Sequence, residues 1–356
     1  MLLKRFIDFN PNEKLCNEQY RKFSMDMINP NTRKVISNSY EKYKGGSKFR
    51  NEDTLFARIT PCLENGKTAY INCLNNNEVA FGSTEFIVAR AIPNISLSLF
   101  VYYLLCSRKI RDIAIASMIG SSGRERVQQI ALDNIEIPEY SLNYQQHIVD
   151  SIGSVDDAIE KNEEIIDKIK VYGNKLFIAI DVSKCIDANS IISFEKGIEI
   201  GSANYYDKEI ENSIPYIRVG NLLNNNYDTY CIDNDYRKCG YDDILIAFDG
   251  APGRNSIGLC GVYSSGIYKV ICDSKLKGFV YFYINSNLCQ DIIKQNSQGT
   301  TILHAGKSIK LLKMPSIDNI ILNNQLNNLY NVLINLYKKQ ISLKKIKQLL
   351  LNKYFD

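Results

Sequence analysis

The chain has 356 residues, 45% of them hydrophobic and 23% charged, a balance that excludes disorder over its whole length and, at this size, points to two domains plus connecting structure. No apolar run is long enough to cross a bilayer, residues 97–106 being too short, and residues 1–10 have no apolar signal core; the expectation is a cytoplasmic protein that does not enter the membrane. The net charge of +4 permits a polyanionic partner without requiring one.

In chain order, the second half of the sequence echoes the first. Asp53-Thr54-Leu55-Phe56-Ala57-Arg58 is matched by Asp243-Ile244-Leu245-Ile246-Ala247-Phe248, 190 residues on. Phe86-Ile87-Val88, entered from Gly82-Ser83-Thr84, is matched by Tyr268-Lys269-Val270 at 182. Both pairs read as short strands entered from turns. Tyr102-Tyr103-Leu104-Leu105-Cys106-Ser107 pairs with Tyr281-Phe282-Tyr283-Ile284-Asn285-Ser286 at 179, Ile137-Pro138 with Met314-Pro315 at 177, and Lys175-Leu176-Phe177 with Lys353-Tyr354-Phe355 at 178. Short strand-turn-helix runs resemble one another in any two domains, but five anchors in one order with smoothly changing offsets fit a duplication.

Each half ends in a predicted long helix. Over residues 141–177, Ile148, Ile152, Val155, Ile159, Ile166, Ile169 and Leu176 recur at spacings of four and three, with Asn162 and Gly173 filling the remaining seam positions. Over residues 323–355, Leu326, Leu329, Leu333, Leu336, Leu343 and Leu350 do the same, interrupted by Gln340 and Lys347. Each helix needs a partner, and the other is the obvious one; packing on its own domain is the alternative. Asn162 and Gln340 are placed to fix the register. An antiparallel pair of roughly 30 residues, about 45 Å at about 1.5 Å per residue, describes two similar heads on a spacer.

The string Leu55-Phe56-Ala57-Arg58-Ile59-Thr60-Pro61-Cys62-Leu63-Glu64-Asn65-Gly66-Lys67, followed by Gly82-Ser83-Thr84-Glu85-Phe86, resembles the target-recognition domain of type I restriction-modification specificity subunits, and so does the order of recognition domain, helix, recognition domain, helix. The resemblance implies an α+β fold with recognition domains over 1–140 and 181–316 and spacer helices over 141–180 and 317–356. It implies that each domain reads half of a bipartite target in double-stranded DNA, and that the helices set the gap and dock two methyltransferase subunits. These bind S-adenosylmethionine and methylate adenine at N6; restriction subunits using ATP and Mg join them. The chain itself then holds no cofactor and no catalytic residue. Ala247-Phe248-Asp249-Gly250-Ala251-Pro252-Gly253-Arg254 departs from the first-half string, so the second domain is expected to read a different half-site.

Chemistry of its own is hard to place on this chain. An adenine methyltransferase loop needs Asn/Asp-Pro-Pro-aromatic, and Asn10-Pro11-Asn12 and Asn29-Pro30-Asn31 lack it. Gly45-Gly46-Ser47-Lys48 lacks Walker A spacing, and no G-x-G-x-x-G follows a strand. Ten cysteines without a C-x-x-C pair, and His147 and His304 as the only imidazoles, argue against zinc or disulfides and for reduced, mostly buried thiols. Asp156-Asp157, Glu163-Glu164 and Asp242-Asp243 read as solvated surface.

Phosphate and base contacts favour Lys, Arg, Ser, Thr and Gly-rich turns. Residues 45–50, with Lys48 and Arg50, and residues 121–126, with Ser121, Ser122, Arg124 and Arg126, fit that description. The second loop pairs with residues 299–307, which hold Thr300, Thr301, His304 and Lys307. The resemblance places this late loop and the Ser83-Thr84 turn on the DNA-facing side and adds Arg58, Lys67 and Arg254; Arg58 and Glu85 are alternatively a structural pair. The expected activity is sequence-specific DNA binding and subunit assembly, of modest and salt-sensitive affinity. A two-headed scaffold that reads no DNA, and an enzyme with an unrecognised site, are the competing readings.

Overall fold

Thr54, Leu55, Phe56 and Ala57 are all buried, as are Ile244, Leu245, Ile246 and Ala247, and strands apolar on both faces belong at the centre of covered sheets. Around these two strands the computed structural model, which describes residues 1–16, 18–299 and 303–356, divides into two units, Met1–Lys161 with Leu343–Asp356, and Asn162–Ser342.

The first unit contains strands β1 (Ile7–Phe9), β2 (Tyr20–Phe23), β3 (Tyr40–Glu41), β4 (Lys48–Arg50), β5 (Thr54–Ala57), β6 (Thr68–Tyr70), β7 (Val79–Gly82) and β8 (Phe86–Ala91). They form two sheets, β1-β8-β5-β6 and β3-β2-β7-β4. The first is antiparallel throughout, and the second contains one parallel pair, β2 with β7. Helices α1 (Ser98–Cys106), α2 (Arg108–Ala116) and α3 (Gln129–Asp133) follow, and α4 (Leu142–Ile178) begins here. Helix α1 is apolar nearly all round, with seven of its nine residues buried, because it fills the space between the first sheet and the long helices. The Ser107 hydroxyl accepts from the Ile110 amide and starts α2.

The second unit adds β9 (Cys185–Asp187), β10 (Ser193–Lys196), β11 (Ser213–Ile217), α5 (Asn221–Asn224), β12 (Tyr230–Ile232), β13 (Lys238–Cys239), β14 (Ile244–Ala247), β15 (Asn255–Ser256), β16 (Gly261–Tyr263) and β17 (Ile267–Ile271). Helices α6 (Lys277–Asn285) and α7 (Asn287–Gln295), strand β18 (Lys313–Pro315) and α8 (Ile320–Phe355) complete it. The sheets β10-β17-β14-β15 and β12-β11-β16-β13 repeat those of the first unit in strand order, including the parallel pair, β11 with β16. One register differs from the sequence expectation. Ala57 pairs with Phe86 and Ala247 with Ile267, so Phe86 corresponds to Ile267, at 181, rather than to Tyr268. A one-residue slip would turn every side chain to the opposite face, and the burial of both Phe86 and Ile267 fits the shorter offset.

The long helices pair antiparallel within each unit. In the first, Ile148, Ile152 and Ile159 are buried, Val155, Leu343 and Leu350 are half-buried, and Tyr354 donates to Ser151 Oγ at 3.2 Å. In the second, Ile166, Leu326 and Leu333 are buried, and Ile169, Leu329 and Leu336 pack at the edge of the same core. Asn162 Nδ2 donates to Gln340 Oε1 at 2.8 Å and to the Leu336 carbonyl at 2.9 Å. The apolar face of α8 is wider than a heptad seam, because Tyr330, Ile334 and Leu351 are buried too; the helix meets a head as well as a helix. Phe355 stacks edge-on to Phe100 and Phe177 to Phe279, each at 5.4 Å and 63°, so the end of each long helix seats on the corresponding helix of one unit.

Two expectations are corrected here. Asp156 is not solvated: its side chain is 3% exposed and binds Lys347 Nζ at 2.7 Å. Asp157 and Asp242 stay solvated as expected, 73% and 67% exposed, while facing Arg33 at 2.6 Å and Lys277 Nζ at 2.8 Å; Asp243, 23% exposed, lies 3.5 Å from the same ammonium. The cysteines are free, but only Cys106, Cys231, Cys239 and Cys289 are buried, while Cys16 and Cys185 are exposed. Among the described residues, no helix is long and apolar enough to cross a membrane.

Candidate nucleic-acid interface

In the first unit the chain leaving β5 is the base of a composite loop surface. The Arg58 amide donates to the Glu85 carbonyl at 3.0 Å, and the Val127 amide donates to the Arg58 carbonyl at 2.8 Å. Arg126 bridges both Ile59 and Ile119. Residues 58–60, the turn 83–85 and the loop 119–126 are thereby tied together by backbone. The turn 45–47 joins them from the other sheet, where the Gly82 amide donates to the Ser47 carbonyl at 2.9 Å. Glycine is required at that crossing: a Cβ on Gly46, at φ +108°, would sit 1.9 Å from the Gly82 carbonyl oxygen.

Charge on this surface is arranged by one clasp. Arg126 Nη2 donates to Glu85 Oε1 at 2.8 Å, and its Nε donates to both carboxylate oxygens at 3.0 Å. Its Nη1 donates to the Arg124 carbonyl at 3.2 Å. The hydrogen bonds it donates to the Glu85 carboxylate hold the guanidinium above its ordinary pKa. Arg126 is therefore spent on positioning the loop, which leaves Ser121, Ser122 and Arg124 exposed at its tip. Thr84 is exposed beside it, and the Ser83 hydroxyl accepts from the Glu85 amide at 3.1 Å. Glu85 thus pairs with Arg126 rather than with Arg58, which is half-buried with its Nε lacking a partner among the described residues.

The other candidates of this unit have their charges engaged elsewhere. Lys48 Nζ donates to the Glu13 carbonyl at 2.6 Å, Arg50 lies 3.8 Å from the Glu13 carboxylate, and Lys67 donates to the Met25 carbonyl at 2.8 Å. Of these, Arg50 stays the most open, with 56% of its side chain exposed.

The second unit repeats the scaffold with different side chains. Phe248 takes the place of Arg58: its amide donates to the Gly266 carbonyl at 3.1 Å, and its carbonyl accepts from Ala305 at 2.7 Å. His304 bridges Asp249 and Gln298, as Arg126 bridges Ile59 and Ile119. Its Nδ1 lies 2.7 Å from Asp249 Oδ1, which orients the ring, and the side chain is 62% exposed. Lys196 reaches the other Asp249 oxygen at 3.8 Å. Lys307 is exposed, and Arg254 turns inward, its Nη1 donating to the Val219 carbonyl at 3.3 Å. Thr300 and Thr301 lie outside the described residues. Sequence reasoning missed Asp249 and Lys196; the signal was available, since residue 249 stands 190 after Ile59, at the offset already assigned to the preceding strand.

Residues 8–171 match the family described as type I restriction modification DNA specificity domain. The type I restriction enzyme EcoAI specificity subunit of Escherichia coli is 34% identical over 106 residues, which is 30% of this chain and 18% of that protein. The EcoEI specificity subunit of the same organism is 36% identical over 101 residues, 28% of this chain and 16% of that protein. The match thus spans less than a fifth of these relatives' length. Among solved structures, the type I restriction-modification S subunit from M. genitalium aligns over 100% of this chain and 95% of its own, with 18% identity and a TM-score of 0.55; at that identity the likeness is one of fold.

Proposed function

We propose, from the premise that this chain belongs to the type I restriction-modification specificity family through residues 8–171, that it is the DNA-reading subunit of such a system and binds a bipartite duplex target. The observation that carries this is the pairing of one scaffold with two surfaces. At equivalent bridges the first unit presents an Arg-clasped Ser-Ser-Gly-Arg tip, and the second presents His304 on Asp249. Two recognition domains, over 1–140 and 181–316, would then read two different half-sites. Exposed Arg124 and Arg50 suit phosphate contacts, and Ser121, Ser122, Thr84 and His304 suit base edges or sugar-phosphate oxygens.

In this reading the chain carries no reaction of its own and acts in the cytoplasm. Two methyltransferase subunits supply S-adenosylmethionine chemistry at adenine N6, restriction subunits supply ATP and Mg chemistry, and the paired helices dock them while setting the gap between half-sites. The experiment is to express the chain with a methyltransferase subunit encoded beside it and to map N6-methyladenine across the host genome. An asymmetric, split motif that vanishes when this chain is deleted is the expected result. A stable complex with no dependent motif would replace the reading with a scaffold that reads no DNA.

A further inference from the structure

The duplication makes each position of α4 equivalent to one in α8, 178 residues on, and each position of α1 equivalent to one in α6, 179 residues on; the matching Phe355–Phe100 and Phe177–Phe279 contacts follow these offsets. Under that equivalence Asn162 corresponds to Gln340, and these two bond to each other. Each is thus the other's counterpart, and an amide there meets an amide whichever helix supplies it.

Away from this pair the halves are not interchangeable. Asp156 and Lys347 form a buried ion pair in the first unit, with the ammonium also over the Tyr102 ring at 5.6 Å. Their counterparts in the second unit are Ile334 and Ile169, which lie in its apolar core. Gly173 in the second unit sits against Phe282, where a Cβ would come within 2.1 Å of the ring. Its counterpart in the first unit is Leu351, in one apolar core with Tyr103, the counterpart of Phe282.

We propose that these two mismatches sort the helices, so that α4 accepts α8 and rejects the α4 of another copy, and α8 likewise rejects a second α8. An α4–α4 pair would bring Ile169 to the place of Lys347 and leave two buried carboxylates without a cation. It would also leave Gly173 opposite Tyr103, with a void the size of the missing leucine. An α8–α8 pair would set Lys347 against Ile334 and drive Leu351 into Phe282. Breaking a buried ion pair is far more costly than replacing both partners with apolar residues, which is why a charged pair that adds little net stability still discriminates between partners. This inference concerns assembly of the chain with itself and holds whatever the heads bind.

The test uses the full chain. A reporter thiol is introduced by Asn162→Cys, with Cys16→Ser and Cys185→Ser to silence the exposed thiols. Two differently tagged copies are co-expressed, the purified protein is oxidised, and crosslinks between the two introduced thiols are mapped by mass spectrometry. In the Asp156→Ile/Lys347→Ile background the 162-to-162 link should rise about tenfold or more over the background that keeps the ion pair, as expected when a buried charge no longer opposes like pairing. Equal levels in both backgrounds, whether high or absent, would overturn the proposal, because the ion pair would then not decide which helices pair. Should the double isoleucine variant fail to fold, the near-isosteric neutral pair Asp156→Asn/Lys347→Met should raise the link in the same way, and unchanged levels there overturn the proposal equally.

Discussion

The two heads share their strand order, their parallel pair and their bridging scheme, and they differ in where charge is attached. Asp53 and Asp243 show this at one equivalent position. Each accepts at 2.9 Å from the amide three residues before it, Arg50 or Gly240, because a short acidic side chain closes that turn on backbone alone. Beyond the turn they diverge. Asp53 is 1% exposed and held by Arg90 from β8 at 2.7 Å, whereas Asp243 is 23% exposed and faces Lys277 from α6 at 3.5 Å. The duplication thus preserved what the backbone requires and left the ion pairs to be solved separately in each head.

The widest separation between the heads comes from removing the two cations. Burial pushes the Asp53 carboxyl above its usual range, against the hydrogen bonds from Arg90, so Arg90→Ala strands a buried carboxylate and should cost about 3–5 kcal/mol. Lys277→Ala should cost about 1 kcal/mol or less, its partners being partly solvated. Chemical denaturation of both variants checks the ratio, and near-equal losses would mean that Asp53 finds water. The pH dependence has a definite sign. Because the folded-state pKa of Asp53 is raised, its ionisation penalty is full above that pKa and fades toward the unfolded value of about 3.9. The deficit of Arg90→Ala against the parent should therefore narrow as the solution is acidified.

Smaller effects should appear at the loops. His304→Ala should relax base preference in the second half-site by about tenfold, the scale of one lost base contact, and leave the first untouched. Arg124→Ala should weaken binding to all sequences alike and lower the salt slope by about 1. Methylation-motif mapping and salt titration separate the two, and a change of base preference in both half-sites from His304→Ala would break the assignment of one head to each.

How much of this was legible follows from how far apart the determining residues lie. The order of strands and helices was readable because each is set within a dozen residues by periodicity and turns. The 182 offset was one residue long because Tyr268-Lys269-Val270 aligns by letter, while the register is set by pairing with β14. Asp156 looked solvated because its partner Lys347 is remote in sequence, and heptad counting scores a lysine at that position as an interruption. Leu351 and Tyr330 escaped the seam because they answer to the heads rather than to the opposite helix. At the loops, residue types were visible, but not that Arg126 spends its donors on Glu85, which decides that Arg124 is the open cation.

The last comparison concerns whether the heads open together. Cys16 and Cys185 are exposed and should react with a thiol reagent at pH 8 at once. In the second unit, burial pushes the buried Cys239 and Cys289 up to about 12, so these stay thiols and stay silent until that unit unfolds. Cys106 is buried in the first unit, so its labelling waits on opening of that unit. If the two cores are separate cooperative units, Arg90→Ala should speed labelling of Cys106 while Cys289 keeps the parent rate, and Lys277→Ala should do the reverse to a smaller degree. Mass spectrometry of the labelled peptides reads both sites in one sample. Equal acceleration of Cys106 and Cys289 in the Arg90 variant would mean that α4 and α8, each of which contributes to both cores, transmit unfolding from one head to the other.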